Sequence, residues 1–313
     1  MVDNMVNSLL KRIALTLLLI CAFVLCLTGF SSCENNENNK NDEIKRDTII
    51  FSLSEDGTHY IVSGLNQTED SEITIPDTYQ NLPVSSIEAS AFRGCENLRS
   101  VTIPDSVTAI GDYVFSGCSN LSEIILSKNI ASISNYMFYK CSNLEDIVIP
   151  NGVYWIGKSA FEGCSSLKTI ELPNTLVTVS NNAFLDCNNL DTLITGCTSS
   201  LMSQIFKDLN IKNVVIKDGV AEIGDEAFSY FTKLEKVTIP DSVTTIGRMA
   251  FYNCSILESV VISENVIYIG DNAFRYSPRL TIYCKMSKDS EQVAGWHPMW
   301  NYWQNPVKWL GEW

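Results

Sequence analysis

Histidine is almost absent from this chain of 313 residues, which contains only His59 and His297. Imidazole is the most frequent acid–base catalyst near neutral pH and the commonest metal ligand in proteins. Both histidines fall in segments that we predict to cap opposite ends of a rod, so they cannot act together. No pair of carboxylates is marked out by its spacing. The sequence therefore predicts a protein that is not an enzyme, with no catalytic residue, metal site or cofactor.

Positive charge is also scarce. The chain has 22 Lys and Arg residues against 36 Asp and Glu residues, which gives a formal net charge of -14. Such a chain repels phosphate backbones, so nucleic acid is not an expected partner. No glycine-rich loop of the kind that cradles phosphates is present either.

Long hydrophobic runs are missing with one exception, residues 13–27, which read IALTLLLICAFVLCL. This run is shorter than the ~20 residues that a membrane-spanning helix needs. Lys11 and Arg12 precede it, and a short positive region followed by an apolar run is typical of a secretory signal. We predict a signal peptide at residues 1–32 and therefore an exported protein.

The end of that segment, Phe30-Ser31-Ser32-Cys33, resembles the lipobox of bacterial lipoproteins, in which the signal is cut before a cysteine that carries lipids. Phe30 departs from the leucine usual at its position. The resemblance implies lipidation at Cys33 and anchoring in the bacterial outer membrane or at the cell surface. The alternatives are a chance cysteine after an ordinary signal peptide, or an uncleaved anchor. Residues 33–46 are almost purely polar and predict a disordered tether.

A repeat of 23 residues is the strongest signal in the chain. Its phenylalanine recurs nine times, with two one-residue deletions around Phe206: Phe92, Phe115, Phe138, Phe161, Phe184, Phe206, Phe228, Phe251 and Phe274. An aliphatic residue precedes each phenylalanine by five positions, as Ile110 precedes Phe115. A cysteine follows most of them by three positions and a leucine most by six. Repeats of this length stack as a solenoid, because one unit cannot bury its own apolar side.

Each unit predicts one short strand and one turn segment. The phrase L-x-x-V-x-I alternates apolar and polar residues, as a half-buried strand does. The proline that often follows it, such as Pro104, ends the strand. The segment I-G-x-x-A-F-x-x-C predicts one short helical or 3₁₀ turn. Asparagines before the strand leucine predict a left-handed bend: Asn97, Asn120, Asn143 and Asn189.

The pattern I-G-x-x-A-F-x-x-C-x-x-L-x-x-V-x-I-P resembles the BspA-like branch of leucine-rich repeats, over about residues 75–285. The resemblance implies an α/β repeat fold: a right-handed leucine-rich-repeat solenoid with a concave parallel β-sheet. We predict an N-terminal cap at residues 47–86, the solenoid at 87–285 and a C-terminal cap at 286–313, where five of the six tryptophans lie. The family is associated with adhesion and with binding of partner proteins.

The cysteine column permits two interpretations. Stacked positions lie ~4.8 Å apart, close enough for disulfides. Phe231 takes the place of cysteine in one unit, which favours buried free thiols that act as small apolar fillers. Cysteines spaced along a line cannot surround one zinc ion.

The outward residues of the concave sheet predict the ligand face. One row of them is unusually apolar for solvated positions: Thr102, Ile125, Val148, Glu171, Val215, Thr238 and Val261. Such a row stabilises a sheet through β-branched ladders, or it forms an adhesive surface. Both interpretations stay open at this stage.

These features together predict a monomeric, envelope-anchored, non-catalytic scaffold that binds a protein or an extended polymer. The alternatives are a purely architectural envelope protein and a hydrolase of extracellular polymers.

Overall fold

The computed structural model describes residues 49–66 and 71–312. The predicted signal peptide, Cys33 and the tether lie outside these residues. Within them, no helix is both long enough and apolar enough to cross a membrane.

A small mixed sheet begins the described part of the chain. β1 (Ile49–Leu53) pairs antiparallel with β2 (Tyr60–Leu65), and β2 pairs in parallel with β5 (Leu82–Ile87). β4 (Thr78–Tyr79) forms a hairpin with β5. β7 (Ala109–Ile110) also pairs with β5, in parallel, and this contact joins the N-terminal segment to the repeats.

One parallel strand per coil follows, at the position that the V-x-I phrase predicts. Eleven strands lie in this row: β3 (Glu72–Thr74), β6 (Ser100–Thr102), β8 (Glu123–Ile125), β10 (Asp146–Val148), β12 (Thr169–Leu172), β14 (Thr192–Thr195), β15 (Asn213–Ile216), β17 (Lys236–Thr238), β19 (Ser259–Ile262), β21 (Thr281–Cys284) and β22 (Val307–Lys308). Equivalent repeat positions face each other, as Ile147 faces Ile170. The chain is thus a parallel β-solenoid, as predicted, and the right-handed sense of its winding stays a prediction.

A second row of two-residue strands runs along another side of the coils: β9 (Ser132–Ile133), β11 (Trp155–Ile156) and β13 (Thr178–Val179), then β16 (Glu222–Ile223), β18 (Thr245–Ile246) and β20 (Tyr268–Ile269). These strands carry the aliphatic residue that precedes each phenylalanine by five positions. Most of these aliphatic side chains are buried.

The phenylalanine column forms the spine of the core, and we name each coil after its phenylalanine. Successive ring centroids lie 5.1–5.6 Å apart from Phe92 through Phe206 and 5.5–5.6 Å apart from Phe228 through Phe274. All nine rings are buried. Burying each ring contributes ~1.5–3 kcal/mol, and that burial exists only while the neighbouring coils are in place.

The short helical or 3₁₀ form predicted for the turn segments is not confirmed. In eight coils the segment around the phenylalanine consists of turns, and only the Phe206 coil has an α-helix there, α1 (Leu201–Phe206). The reason is that residues two before and two after the other eight phenylalanines have positive φ, such as Tyr113 at 61° and Lys140 at 58°. Their N–H groups bond to the next coil instead of along a helix, as Tyr113 N–H donates to the Asn135 carbonyl at 3.0 Å.

The prediction of left-handed bends at the strand asparagines is wrong. None of the four has positive φ. Their amides instead connect coils: Asn120 Nδ2 donates to the Glu96 carbonyl at 2.8 Å, and Asn189 Nδ2 to the Ser165 carbonyl at 2.8 Å. Asparagine serves here as a donor to a neighbouring coil rather than as a residue that tolerates unusual φ.

The C-terminal segment closes the last coil with aromatic side chains and one short helix, α2 (Glu291–Ala294). Trp296 is buried and donates its Nε1–H to the Val266 carbonyl at 3.1 Å. Trp300 packs edge to face on Phe274, with centroids 6.3 Å apart. Asn305 Nδ2 donates to the Phe274 carbonyl at 3.3 Å, a bond that the next coil would otherwise supply.

The I-G phrase requires glycine because the backbone of the neighbouring coil lies very close to it. A Cβ on Gly247 would lie 2.6 Å from the Asp225 backbone nitrogen, and one on Gly157 would lie 2.6 Å from that of Asn135. Backbone cannot rotate away as a flexible side chain can, so the two coils would have to separate.

We expect Gly247→Ala to lower the free energy of unfolding by ~1–3 kcal/mol, because it forces two coils apart. Ser180→Ala is the matched control, since Ser180 occupies the same repeat position and already has a Cβ. Its cost should stay below ~1 kcal/mol. Urea unfolding of both variants measures the difference, and equal costs would contradict the close-approach argument.

Candidate functional site

The seven residues predicted for the ligand face do lie in one outward row of the strand sheet. Register pairs Thr102 with Ile125, Val148 with Glu171, and Val215 with Thr238 in neighbouring coils. We call the outward side of this sheet the strand face. Their role in binding stays a prediction, but their alignment along the coils is a feature of the fold.

Exposure along this row is uneven, and it is greatest at two adjacent coils. Ile125 is 55% exposed and Val148 is 63% exposed, whereas Val261 is 39% exposed. Glu171 and Val215 are half-buried. The most exposed apolar side chains of the strand face are therefore concentrated in the Phe115 and Phe138 coils.

Four members of the row were not predicted, and they are Thr74, Ile194, Tyr283 and Lys308. Register places Ile194 between Glu171 and Val215, and Tyr283 beside Val261. Ile194 lies ten residues after Phe184, just as Ile125 lies ten after Phe115, so the repeat spacing contained the signal. Tyr283 lies nine residues after Phe274, as the predicted Val215 lies nine after Phe206.

The strand sheet is interrupted where exposure is greatest. In the described residues no strand pairing joins β8 to β10, and none joins β7 to β9 in the second row. The turn side of the same junction is intact, because the Phe115 N–H donates to the Met137 carbonyl at 2.9 Å. The Phe115 and Phe138 coils are thus joined along their turns and unpaired along both strand rows.

Ser134 lies at this junction, in the repeat position that is glycine in five other coils. Its hydroxyl donates to the Ile110 carbonyl. In other coils a backbone N–H donates the equivalent bond, as Gly157 N–H does to the Ile133 carbonyl at 2.8 Å. Ser180 shows that serine alone does not cause the interruption. Its N–H keeps the bond to the Ile156 carbonyl at 2.8 Å, and its hydroxyl accepts from Trp155 Nε1. The difference lies in whether the hydroxyl replaces the N–H.

A groove of about 750 Å³ opens on the strand face at the interrupted junction. Four coils contribute to it, from Phe115 to Phe184. We define the strand-face groove by its outward side chains: Glu123, Ile125, Asp146, Val148, Glu171 and Ile194. Its volume falls in the ~300–1,000 Å³ range of ligand pockets.

The charges around the groove are mostly paired. Glu171 bonds Lys217 at 2.7 Å, Asp105 pairs with Lys128 at 3.5 Å, and Glu145 bonds Lys168 at 2.7 Å. The hydrogen bond that Lys168 donates to the Glu145 carboxylate raises the pKa of Lys168. The backbone N–H of Lys128 lowers the pKa of Asp105 by stabilising its carboxylate. Among the described residues, neither Glu123 nor Asp146 has a cation within ion-pair distance.

The cysteine column is free and buried, which confirms the interpretation of these residues as buried thiols. Five of the six thiols in the column donate to the phenylalanine carbonyl of the preceding coil, as Cys118 Sγ does to Phe92 at 3.0 Å and Cys141 Sγ to Phe115 at 3.1 Å. Ser277 replaces cysteine in the last repeat and makes the same bond at 3.2 Å to Phe251. The thiols serve as donors inside the core.

Burial raises the pKa of these thiols. The pKa of Cys118 and of Cys187 rises to about 12, and those of Cys141 and Cys164 lie well above the ordinary value of 9.0. A nucleophilic cysteine needs the opposite, a lowered pKa. The column therefore has the properties of packing residues and not those of nucleophiles.

The histidines lie apart from the groove. His59 Nδ1 is 3.8 Å from Asp56 and His297 Nδ1 is 3.8 Å from Asp271. Hydrogen bonds from Ser54 and Thr58 lower the pKa of Asp56 to about 2. In the ranges that the structure describes, no three His, Cys, Asp or Glu side chains converge as metal ligands would.

Comparison with known families gives one match. The family model described as the BspA type leucine rich repeat region matches in six copies, over residues 65–191 and 199–291, which is more than half of the chain. Among curated proteins no significant match exists.

Several solved bacterial structures resemble the chain. The leucine rich repeat protein of T. pallidum is 27% identical, with 68% of this chain and 89% of that chain covered and a TM-score of 0.48. A leucine-rich repeat protein from Bacteroides ovatus is 20% identical, with 84% and 98% covered and a TM-score of 0.33. A leucine rich cell surface protein from Faecalibacterium prausnitzii is 22% identical, with 90% and 96% covered and a TM-score of 0.34.

The raised thiol pKa values predict a loss of stability in alkali. A thiol whose pKa is higher in the folded than in the unfolded chain contributes stability that is complete below pH 9 and declines from there up to the folded pKa. We expect Cys141→Ser to remove one such contribution, about 1 kcal/mol at pH 10. Serine keeps the bond to the Phe115 carbonyl, as Ser277 does in its own coil.

The measurement is the free energy of unfolding in urea at pH 7 and pH 10 for both proteins. Tyrosine and lysine side chains contribute to the pH dependence of both proteins. The informative quantity is therefore the difference between the two proteins in how far their free energy of unfolding falls from pH 7 to pH 10. An identical decline in the variant and the parent would show that Cys141 titrates alike in the folded and unfolded chain.

Proposed function

Because the chain belongs to the BspA type leucine-rich repeat family, we propose that it is an exported cell-surface scaffold that binds a protein or an extended polymer on its strand face. Repeat proteins of this family are typically scaffolds without catalytic activity. Family membership supports export and binding, and the strand face supports where binding occurs.

The exposed apolar side chains of adjacent coils carry this proposal. Ile125 and Val148 are more than half exposed and line one groove together with Ile194. Contiguous apolar surface on a soluble protein is characteristic of an interaction site. If these β-branched side chains only stabilised the sheet, they would have no reason to be exposed at the junction where strand pairing is interrupted.

The backbone beneath the groove favours tight binding. On one side of the junction, β10, β12 and β14 are fixed by ladder hydrogen bonds, and the side chains one position along, such as Ile147 and Ile170, are buried in the core. A partner that docks on such a surface does not have to order it, which reduces the entropy lost on association.

Anchoring completes the proposal. Lipid on Cys33, followed by a tether over residues 33–46, would hold the solenoid at the outer membrane or cell surface while leaving its strand face accessible. Several acyl chains hold firmly, since each buried CH₂ contributes ~0.8 kcal/mol. The molecule acts as a monomer in this arrangement.

We expect the triple substitution Ile125→Glu, Val148→Glu and Val261→Glu to abolish partner capture by the soluble head, residues 44–313. The three carboxylates would have to be buried without partners in any apolar interface. Affinity capture from the native environment, followed by mass spectrometry, compares the variant with the parent protein.

The matched control is Tyr154→Glu, Val177→Glu and Ile267→Glu. These side chains are 54%, 71% and 57% exposed and lie outside the strand face. The control adds the same charge and should leave both capture and melting temperature unchanged. Capture that survives the strand-face substitutions would exclude this face as the interface.

We expect Cys33→Ser to release the protein from the membrane fraction and to prevent incorporation of labelled palmitate. Cys26→Ser, within the predicted signal peptide, is the control and should keep the label. Membrane association of an unlabelled Cys33→Ser protein would indicate an uncleaved anchor instead of a lipid.

A further inference from the structure

We propose that the strand-face groove selects a basic segment of a partner polypeptide in which aliphatic side chains alternate with lysine or arginine. The inference rests on the proposed function and names the chemistry of its partner. It depends on the charges left unpaired around the groove and on their distance from its apolar floor.

The cations near the groove are already engaged. Lys217 holds Glu171 and Lys128 pairs with Asp105. Lys168 bonds Glu145, and Asp146 contributes only a weaker effect to the raised pKa of Lys168. The described part of the chain therefore supplies no close countercharge to Glu123 or Asp146.

Glu123 and Asp146 occupy the same repeat position in adjacent coils, and both side chains are exposed. No ladder pairing joins the two strands that carry them. A cation placed near the two carboxylates would give both the countercharge that the described residues do not supply.

The apolar floor lies a fixed distance from these carboxylates. Glu123 and Ile125 are two residues apart on one strand, as are Asp146 and Val148, so each carboxylate lies ~7 Å from its apolar neighbour. The Phe138 coil repeats the pair that the Phe115 coil presents, at the same two repeat positions. A polypeptide that lies across the coils can satisfy both rows only if it has positive and aliphatic side chains at short intervals.

Polyanionic partners are disfavoured by the same arrangement. An acidic protein or a sulfated polymer would bring negative charge to two carboxylates that already lack a cation. A wholly apolar ligand would cover Ile125 and Val148 but would desolvate Glu123 and Asp146 without compensation.

Three synthetic peptides test the proposal on the soluble head, residues 44–313: GKLKLKLKG, its acidic counterpart GELELELEG, and GKSKSKSKG, which lacks aliphatic side chains. Fluorescence anisotropy at 0.05 M and 0.3 M NaCl gives the affinities. We expect the first peptide to bind most tightly, with an affinity that falls as salt rises, because the pairs are exposed to solvent.

The double substitution Glu123→Gln with Asp146→Asn tests the role of charge. It should raise the Kd of GKLKLKLKG roughly fivefold. Glu235→Gln with Glu258→Gln is the matched control. These two carboxylates are also exposed and precede strands of later coils, so both variants have the same net charge. An equal effect of both pairs would mean that the acidic chain attracts cationic peptides without a site, and the proposal would fail.

A second comparison tests the role of the apolar side chains. Val148→Ser changes a residue of the groove, and Val261→Ser changes a residue of the same row that lies outside the groove. Only the first should weaken binding of GKLKLKLKG. If the peptides show no preference while the triple glutamate substitution still abolishes partner capture, the strand face binds its partner by other chemistry. In that case this inference is wrong and the proposed function survives.

Discussion

No coil of this protein can satisfy its own backbone or bury its own side chains. The N–H groups of the turn segments bond the next coil, the thiols bond the phenylalanine carbonyl of the coil before, and the phenylalanine rings cover one another in a continuous stack. Each interaction has one partner a single repeat away along the chain. The repeat therefore has to be kept at every internal position, and stability depends on neighbouring coils being present.

The same dependence makes each departure from the repeat informative. Where Phe231 replaces cysteine, an apolar ring fills the space and meets Phe228 edge to face, with centroids 5.6 Å apart. Where Ser134 replaces glycine, the hydroxyl takes over a backbone bond, and strand pairing is missing on both rows of that junction. The Phe206 coil, which lacks the usual spacing, is the one that forms an α-helix in its turn segment. The groove lies next to one of these departures because regular coils pack too closely to leave space between them.

Binding surfaces follow from which residues the core does not use. The inward residues of the strands are nearly the same in every coil, because they share one spine. The outward residues make no such contacts and differ from coil to coil, from Thr102 through Ile125 and Glu171 to Tyr283. A family that keeps its core and changes its outward row can present many surfaces on one scaffold. In this chain that row combines exposed aliphatic side chains with unpaired carboxylates in adjacent coils.

The sequence by itself determined the nine phenylalanine repeats, the strand positions within them, the buried columns and most of the outward row, because a fixed period of 23 residues carries all of them. It also predicted Phe206 as a member of the phenylalanine column across two deletions. Spacing alone did not predict that the turns would be non-helical, since positive φ at residues such as Tyr113 and Lys140 results from hydrogen bonds between coils. Nor did it predict the groove, because a period does not show that strand pairing is absent between β8 and β10. A period describes what all coils share, whereas contacts between two particular coils decide where the solenoid opens.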